Sequence, residues 1–139
     1  MPVLNNDDLQ IINLLDSRTG ARAVDVVVEA GEIIFVVKKG DLGRAIGKQG
    51  INIARLRQAF GKNIEIIEDA DDAKGFLKNA FYPAQVKSIE ESEIGGKKVA
   101  VIVVDAKSKG LAIGKGGEKI KRARMLAKRR YGIDDVKIL

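Results

Sequence analysis

The sequence predicts an α+β chain made of two copies of one unit, each with the element order α-β-β-α-α-β and a three-stranded sheet packed on helices. Three observations support this fold class: an internal repeat, the same succession of helix and strand patterns in both copies, and a glycine-bounded loop at the same place in each. The chain has 139 residues, of which 45% are hydrophobic, so each copy is able to bury a core.

The internal repeat becomes visible when the sequence is shifted by 67 positions, because valines, glycines and one four-residue segment then coincide. The coinciding residues are Val36-Val37 with Val103-Val104, Gly43 with Gly110, Ala45-Ile46-Gly47-Lys48 with Ala112-Ile113-Gly114-Lys115, Gly50 with Gly117, Ile53 with Ile120, Arg55 with Arg122, and Arg57 with Arg124. Self-similarity at a fixed spacing indicates a repeated structural unit. The repeat predicts domains at residues 1–70 and 71–139.

In the first copy, Asn5 or Asn6 is suited to cap a helix, and Gly20 is suited to end it. The apolar stripe of that helix is predicted to be Leu9, Ile12 and Leu15. Strands are predicted at residues 23–29 and 32–38, then a helical turn at 42–46, a helix ending near residue 60 and a strand at 64–67.

In the second copy, Asp71 or Asp72 caps a helix that Pro83 ends. The apolar residues of this helix are Phe76, Leu77, Ala80 and Phe81. Strands are predicted at residues 86–90 and 97–104 around Gly95-Gly96, then the glycine loop, a helix ending near residue 131 and a strand at 136–138.

The functional prediction rests on the two glycine-bounded loops. Their sequences are Ile46-Gly47-Lys48-Gln49-Gly50 and Ile113-Gly114-Lys115-Gly116-Gly117. Glycines let a phosphate backbone approach the main chain, and the helix that follows begins with unpaired N–H groups. A single G-x-x-G is also typical of an ordinary turn between helices. Its second occurrence at an equivalent place, again with a lysine, favours an anion-binding loop, and neither loop matches the Walker A pattern.

Positive charge is concentrated near the second loop. The net charge is +6, with −1 on residues 1–70 and +7 on residues 71–139. Helical spacing places Arg57 and Arg124 beside the apolar stripe of the helix after each loop, where they border a groove, with Lys121 on the same flank. Arg55 and Arg122 are predicted to point outward into solvent. Ile46 and Ile113 fit either the floor of a nucleic-acid groove or the core.

Catalysis is disfavoured because the chain has no histidine and no cysteine. The adjacent acidic pairs Asp71-Asp72 and Asp134-Asp135 fit a helix start and a turn better than a metal site. The sequence therefore predicts no enzyme activity, no cofactor and no metal. No apolar run is long enough for a membrane span, and the first residues do not form a secretory signal, so a cytoplasmic location is expected. The protein is also expected to be a monomer.

Each copy, with its G-x-x-G loop, resembles the KH domain, and the α-β-β-α-α-β order resembles its type II form. Two such domains in close succession resemble the archaeal NusA-like family. The resemblance implies that Gly47–Gly50 and Gly114–Gly117 clamp the backbone of single-stranded RNA. It also implies a role in transcription elongation, termination or antitermination, with RNA polymerase or other transcription factors as protein partners.

Two other binding functions stay open at the level of sequence. One is ribosome biogenesis or another ribonucleoprotein assembly, which would use the same loops. The other is a helix-turn-helix that binds duplex DNA, since each loop joins two helices, although its second helix begins with a poor sequence for base contacts. The first loop also differs from the second, with Gln49 in place of Gly116, so the two copies need not bind equally.

Overall fold

The computed structural model describes residues 4–139. The described chain divides into two compact units, and the division falls between Ala70 and Asp71 in the sequence. Each unit has the order α-β-β-α-α-β with one three-stranded sheet, so the predicted α+β architecture is confirmed.

The bounds of the elements are close to those expected from the sequence. The first unit contains α1 (Asn6–Thr19), β1 (Ala23–Val28), β2 (Glu32–Val37), α2 (Leu42–Ile46), α3 (Ile51–Phe60) and β3 (Asn63–Glu68). The second unit contains α4 (Ala73–Phe81), β4 (Val86–Ile94), β5 (Lys97–Val104), α5 (Lys109–Ile113), α6 (Glu118–Tyr131) and β6 (Asp135–Ile138).

Both sheets have the same mixed topology. The central strand, β2 or β5, pairs antiparallel with the preceding strand and parallel with the last strand of the unit. A parallel pair needs a crossover connection, and the two helices that flank the glycine loop provide it. The last strand of each unit, β3 or β6, lies at an edge of its sheet.

Helix α1 begins with a capping box and ends at Gly20. Asn5 accepts a hydrogen bond from the backbone of Asp8 at 2.8 Å, and Asp8 accepts one from the backbone of Asn5 at 3.2 Å. The prediction that Leu9 lies in the buried stripe is wrong, because its side chain is 46% exposed. Leu9 lies about 120° around the helix from the buried Leu15, whereas Ile11 lies closer and packs on the core.

Each core lies between the sheet and the helices of its unit. An aromatic pair joins sheet to helix in the first core and helix to helix in the second. Phe35 of β2 and Phe60 of α3 have ring centroids 6.4 Å apart. Phe76 of α4 and Tyr131 of α6 have ring centroids 5.4 Å apart. These contacts hold the helix that follows each loop in place, which positions the loop itself.

The second hairpin is longer than the sequence prediction. Strand β4 continues past residue 90 to Ile94, and Ile94 pairs with Lys97 across the Gly95-Gly96 turn. The end of this hairpin is exposed. Residues 90–93 are all polar, so they lack the alternation of apolar and polar residues from which strands are recognised. The sequence therefore did not predict this extension.

One hydrogen bond ties the start of the helix before each loop to the sheet. The Asp41 carboxylate accepts from the backbone N–H of Arg22 at 2.9 Å, and the Ser108 hydroxyl accepts from that of Gln85 at 3.0 Å. The donors precede β1 and β4 by the same short distance along the chain. The two units therefore fix their loops to the sheet in the same way with different side chains.

Candidate nucleic-acid interface

The first glycine of each loop adopts a backbone conformation that other residues rarely reach. Gly47 has φ 76° and ψ 169°, and Gly114 has φ 78° and ψ 169°. A Cβ atom added at Gly47 would lie 2.7 Å from the side chain of Asn52. One added at Gly114 would lie 2.7 Å from Cβ of Lys119 and 2.9 Å from its backbone nitrogen. Both positions therefore require glycine.

The last two residues of each G-x-x-G segment lie in the left-handed helical region. Gly50 and Gly117 have φ 75° and 76°, and nothing lies within 4 Å of a Cβ added to either. Gln49, with φ 56°, adopts the left-handed conformation of its counterpart Gly116, with φ 64°. A non-glycine residue held in this conformation stores strain, and such residues cluster at binding sites.

Short hydrogen bonds fix the loops to the helices that precede them. The N–H of Gly47 donates to the carbonyl of Gly43 at 2.8 Å, and that of Gly114 donates to Gly110 at 2.9 Å. In the first unit the amide Nδ2 of Asn52 also donates to the carbonyl of Arg44 at 2.7 Å. Sequence reasoning missed this supporting role of Asn52, since only the folded loop brings residues 44 and 52 together.

The two loop lysines are exposed and free to meet a ligand. Among residues 4–139, neither Lys48 nor Lys115 makes a side-chain hydrogen bond or an ion pair. Neither α3 nor α6 receives a side-chain cap at its first turn. Each loop thus combines a mobile ammonium group, close backbone access and the positive end of a helix, which together suit a phosphate group.

The isoleucines before the two loops differ in exposure. Ile46 is half-buried, whereas Ile113 is 40% exposed. The alanine that precedes each of them, Ala45 or Ala112, is completely buried and anchors its short helix. The isoleucine side chains thus lie at the border between the core and the loop surface, as a groove floor requires.

The two arginines predicted to border a groove, Arg57 and Arg124, differ in their contacts. Arg57 is exposed and makes no side-chain hydrogen bond or ion pair within the described residues. Arg124 instead donates from Nε to the carbonyl of Val136 at 2.9 Å and lies 3.2 Å from the carboxylate of Asp135. Arg124 therefore reaches the edge strand β6, where it stabilises the fold, and only part of its guanidinium faces solvent.

The remaining basic residues of α6 divide between solvent and the protein. Lys121 and Lys128 are exposed, and within the described chain neither forms an ion pair. The prediction that Arg122 points into solvent is wrong, because its side chain is only 13% exposed and pairs with Glu118 at 3.4 Å. Its counterpart Arg55 is exposed, as predicted. The sequence did not predict this difference in exposure because Arg55 and Arg122 occupy equivalent positions of the repeat.

The described residues show neither a metal cluster nor a membrane helix. Within residues 4–139, no group of three or more histidine, cysteine or acidic residues is placed to hold a metal ion. In the same part of the chain, no helix has both the length and the apolar character that crossing a membrane requires.

Comparison with known proteins connects this geometry to a family. A family model described as NusA-like second KH domain matches residues 73–137, and one described as KH domain matches residues 11–90. The chain is similar to the probable transcription termination protein NusA of Methanococcus vannielii, with 36% identity over 98% of this chain and 79% of that protein. The protein of the same name from Halococcus morrhuae is 37% identical over 97% of this chain and 96% of that protein.

A solved structure shows the same fold. The crystal structure of APE1850 matches with a TM-score of 0.84 and 39% identity, covering 98% of this chain and 100% of that chain. The transcription termination/antitermination protein NusA of Thermus thermophilus is 36% identical over 61% of this chain and 22% of that protein. The resemblance inferred from the glycine loops is confirmed by these matches: the chain belongs to the NusA-like family of KH-domain proteins.

Proposed function

We propose that this protein is an RNA-binding transcription factor that acts in termination or antitermination and catalyses no reaction. Residues 1–70 and 71–139 act as two RNA-binding domains, each of which clamps the backbone of single-stranded RNA with its G-x-x-G loop. The relatives that match nearly the whole chain are named transcription termination proteins, which favours transcription over ribosome biogenesis. RNA polymerase is a protein partner consistent with that role.

The observation that carries the proposal is the shared geometry of the two loops. In both, a glycine with ψ near 169° is followed by a free lysine, a left-handed residue and a helix without a side-chain cap. KH domains bind about four nucleotides of backbone at such a loop. Aromatic residues are only 4% of the chain, so base stacking on an aromatic platform is a poor alternative mode.

The direct test is fluorescence anisotropy with labelled single-stranded RNA, single-stranded DNA and duplex DNA at several salt concentrations. We expect RNA to bind most tightly, with a log–log salt slope of about −0.7 per phosphate neutralised. The slope gives the number of phosphates in contact, and the preference for RNA over both DNA forms tests the proposed substrate. Preference for duplex DNA would instead support the helix-turn-helix alternative, and absence of RNA binding would contradict the proposal.

Arg57 and Arg124 are expected to respond differently to removal. Arg57→Ala should weaken RNA binding roughly tenfold with little change in stability, because the guanidinium is exposed and has no partner in the described chain. Arg124→Ala should lower the free energy of unfolding by about 1 kcal/mol, because it removes the hydrogen bond to Val136. Anisotropy and urea denaturation of both variants measure the two effects.

The matched control for this pair is Arg44→Ala. Arg44 is an exposed arginine of α2, and among residues 4–139 its side chain makes only a long ion pair to Asp41, at 3.8 Å. Its removal therefore changes the charge equally with little loss of structure. If Arg44→Ala weakens RNA binding as much as Arg57→Ala, the effect of Arg57 is general electrostatics and its place beside the groove is wrong.

A further inference from the structure

A small cavity lies on the other flank of α3, between that helix and the end of α1. Its volume is about 130 Å³, and it is lined by Arg18, Thr19, Asn52, Arg55 and Leu56. One water molecule needs about 10–15 Å³ of such volume, so the cavity is large enough for a tetrahedral anion. Arg55 and Arg57 lie about 160° apart around α3, so this cavity is separate from the groove that Arg57 borders.

The charged side chains that line the cavity are all positive. Both arginines are exposed, neither makes a side-chain hydrogen bond or an ion pair within the described residues, and no acidic side chain lines the cavity. The Thr19 hydroxyl is already occupied, since it donates to the carbonyl of Leu15 at 2.7 Å and accepts from Ala21 at 3.0 Å. The charged groups that line the cavity are therefore two guanidinium groups, whose N–H donors have no partner among the described residues.

The equivalent position in the second unit has a carboxylate that the first unit lacks. There Arg122, the counterpart of Arg55, pairs with Glu118 and is mostly buried. The residue that corresponds to Glu118 in the first unit is Ile51, which offers no carboxylate. Arg55 thus lacks the carboxylate with which its counterpart pairs.

The other arginine of the cavity is also particular to the first unit. Counting back from the strand that follows, Arg18 corresponds to Phe81, which is completely buried in the second unit. Asn52 corresponds to Lys119, whose ammonium group donates to the carbonyl of Tyr82 at 2.7 Å. In the second unit, Lys119 and Arg122 therefore contact groups of the protein itself, whereas in the first unit Arg18 and Arg55 line an open cavity.

We propose that this cavity binds a phosphate group from outside the protein. Planar guanidinium groups bind phosphate oxygens through paired N–H donors, and an anion between two arginines removes their mutual repulsion. The phosphate belongs either to the RNA chain held at the adjacent loop or to a free phosphate compound. The RNA source rests on the proposed function, whereas the binding of a free phosphate does not.

The first measurement is a titration of ¹⁵N-labelled full-length protein with inorganic phosphate, following the Nε–Hε signals of arginine by NMR. We expect the signals of Arg18 and Arg55 to shift and saturate together, and the signal of Arg57 to shift less. The backbone amide signals of Thr19 and Asn52, which also line the cavity, should shift with phosphate in the wild type and not in the double variant Arg18→Gln, Arg55→Gln. If no arginine signal of the cavity responds to phosphate or to RNA, the proposal is overturned.

The second measurement determines the source of the phosphate. Anisotropy with single-stranded RNA is compared between the wild type, the double variant and a control double variant, Arg22→Gln with Lys38→Gln, which removes two exposed charges elsewhere in the first unit. If RNA supplies the phosphate, the cavity variant should weaken binding about tenfold and reduce the magnitude of the salt slope by about 0.7, and the control should not.

The outcomes separate this proposal from the general RNA-binding function. An unchanged RNA slope together with saturating phosphate shifts supports the cavity as a site for a free phosphate compound. If both double variants change the salt slope of RNA binding equally, and the Arg18 and Arg55 signals show no specific shift with phosphate, the proposed phosphate site is overturned. Wild-type RNA binding is measured independently of either variant, so loss of this proposal would leave the function of the glycine loops intact.

Discussion

Replacing Lys48-Gln49 and Lys115-Gly116 with Asp-Asp pairs is expected to lower the affinity for single-stranded RNA about a hundredfold while both units stay folded. A charge-assisted hydrogen bond is worth about 1.5–3 kcal/mol, so loss of one at each loop removes about 3 kcal/mol, and 1.4 kcal/mol corresponds to tenfold. Aspartate also repels phosphate at the same place.

The fold should tolerate these substitutions because of the loop geometry. Lys48 and Lys115 are exposed, and a Cβ added at Gly116 meets nothing within 4 Å. Positions 49 and 116 have positive φ, which aspartate adopts more readily than most residues. Circular dichroism and thermal unfolding should therefore resemble those of the wild type.

The matched control carries three substitutions in the second unit, Lys74→Glu, Lys87→Glu and Lys97→Glu, which change the net charge by the same amount. All three lysines are exposed and lie outside the glycine loops. We expect this control to retain most of its RNA affinity, with only the loss due to long-range attraction. If the control and the loop variant lose affinity equally, charge alone determines binding and the loops are not the site.

Gly114→Ala is expected to lower the free energy of unfolding of the second unit by about 3 kcal/mol. The added Cβ would lie 2.9 Å from the backbone nitrogen of Lys119, so the start of α6 has to move. The conformation at φ 78° and ψ 169° adds strain of about 1–3 kcal/mol, and overpacking a site costs a similar amount. Urea denaturation followed by circular dichroism measures the loss.

Gly117→Ala is the control for the same loop. Its φ of 76° is also positive, but its ψ of 14° lies in the left-handed helical region and no atom lies within 4 Å of the added Cβ. The expected cost is about 1 kcal/mol. Equal losses for the two variants would show that close contact at Gly114 is unimportant and that positive φ alone matters.

Several features followed from the sequence because they depend on residues close together in the chain. The Asp-rich first turn and Gly20 predict both ends of α1, and the repeat predicts that the two units share one element order. The loop Gly47–Gly50 could be recognised because glycine adopts positive φ more readily than any other residue. Helical periodicity also predicted the exposed position of Arg55.

Other features depend on the contacts that a side chain makes with distant parts of the fold. Arg57 and Arg124 coincide in the repeat, yet only Arg124 bonds to a neighbouring strand. The repeat likewise equates Arg55 with Arg122, although the latter pairs with Glu118 and the former lines an open cavity. Spacing along one helix gives the direction of a side chain but not its neighbours.

By itself, the sequence determined the fold class, the two-fold repeat, the glycine loops and the absence of the residue types on which most catalysis depends. These are properties of local conformation and residue chemistry, which spacing and composition encode directly. Only the tertiary structure decided which cations are free, which are bonded internally, and where Asn52 supports a loop. Those outcomes depend on contacts between residues that are distant in the chain and meet only when the sheet and helices pack together.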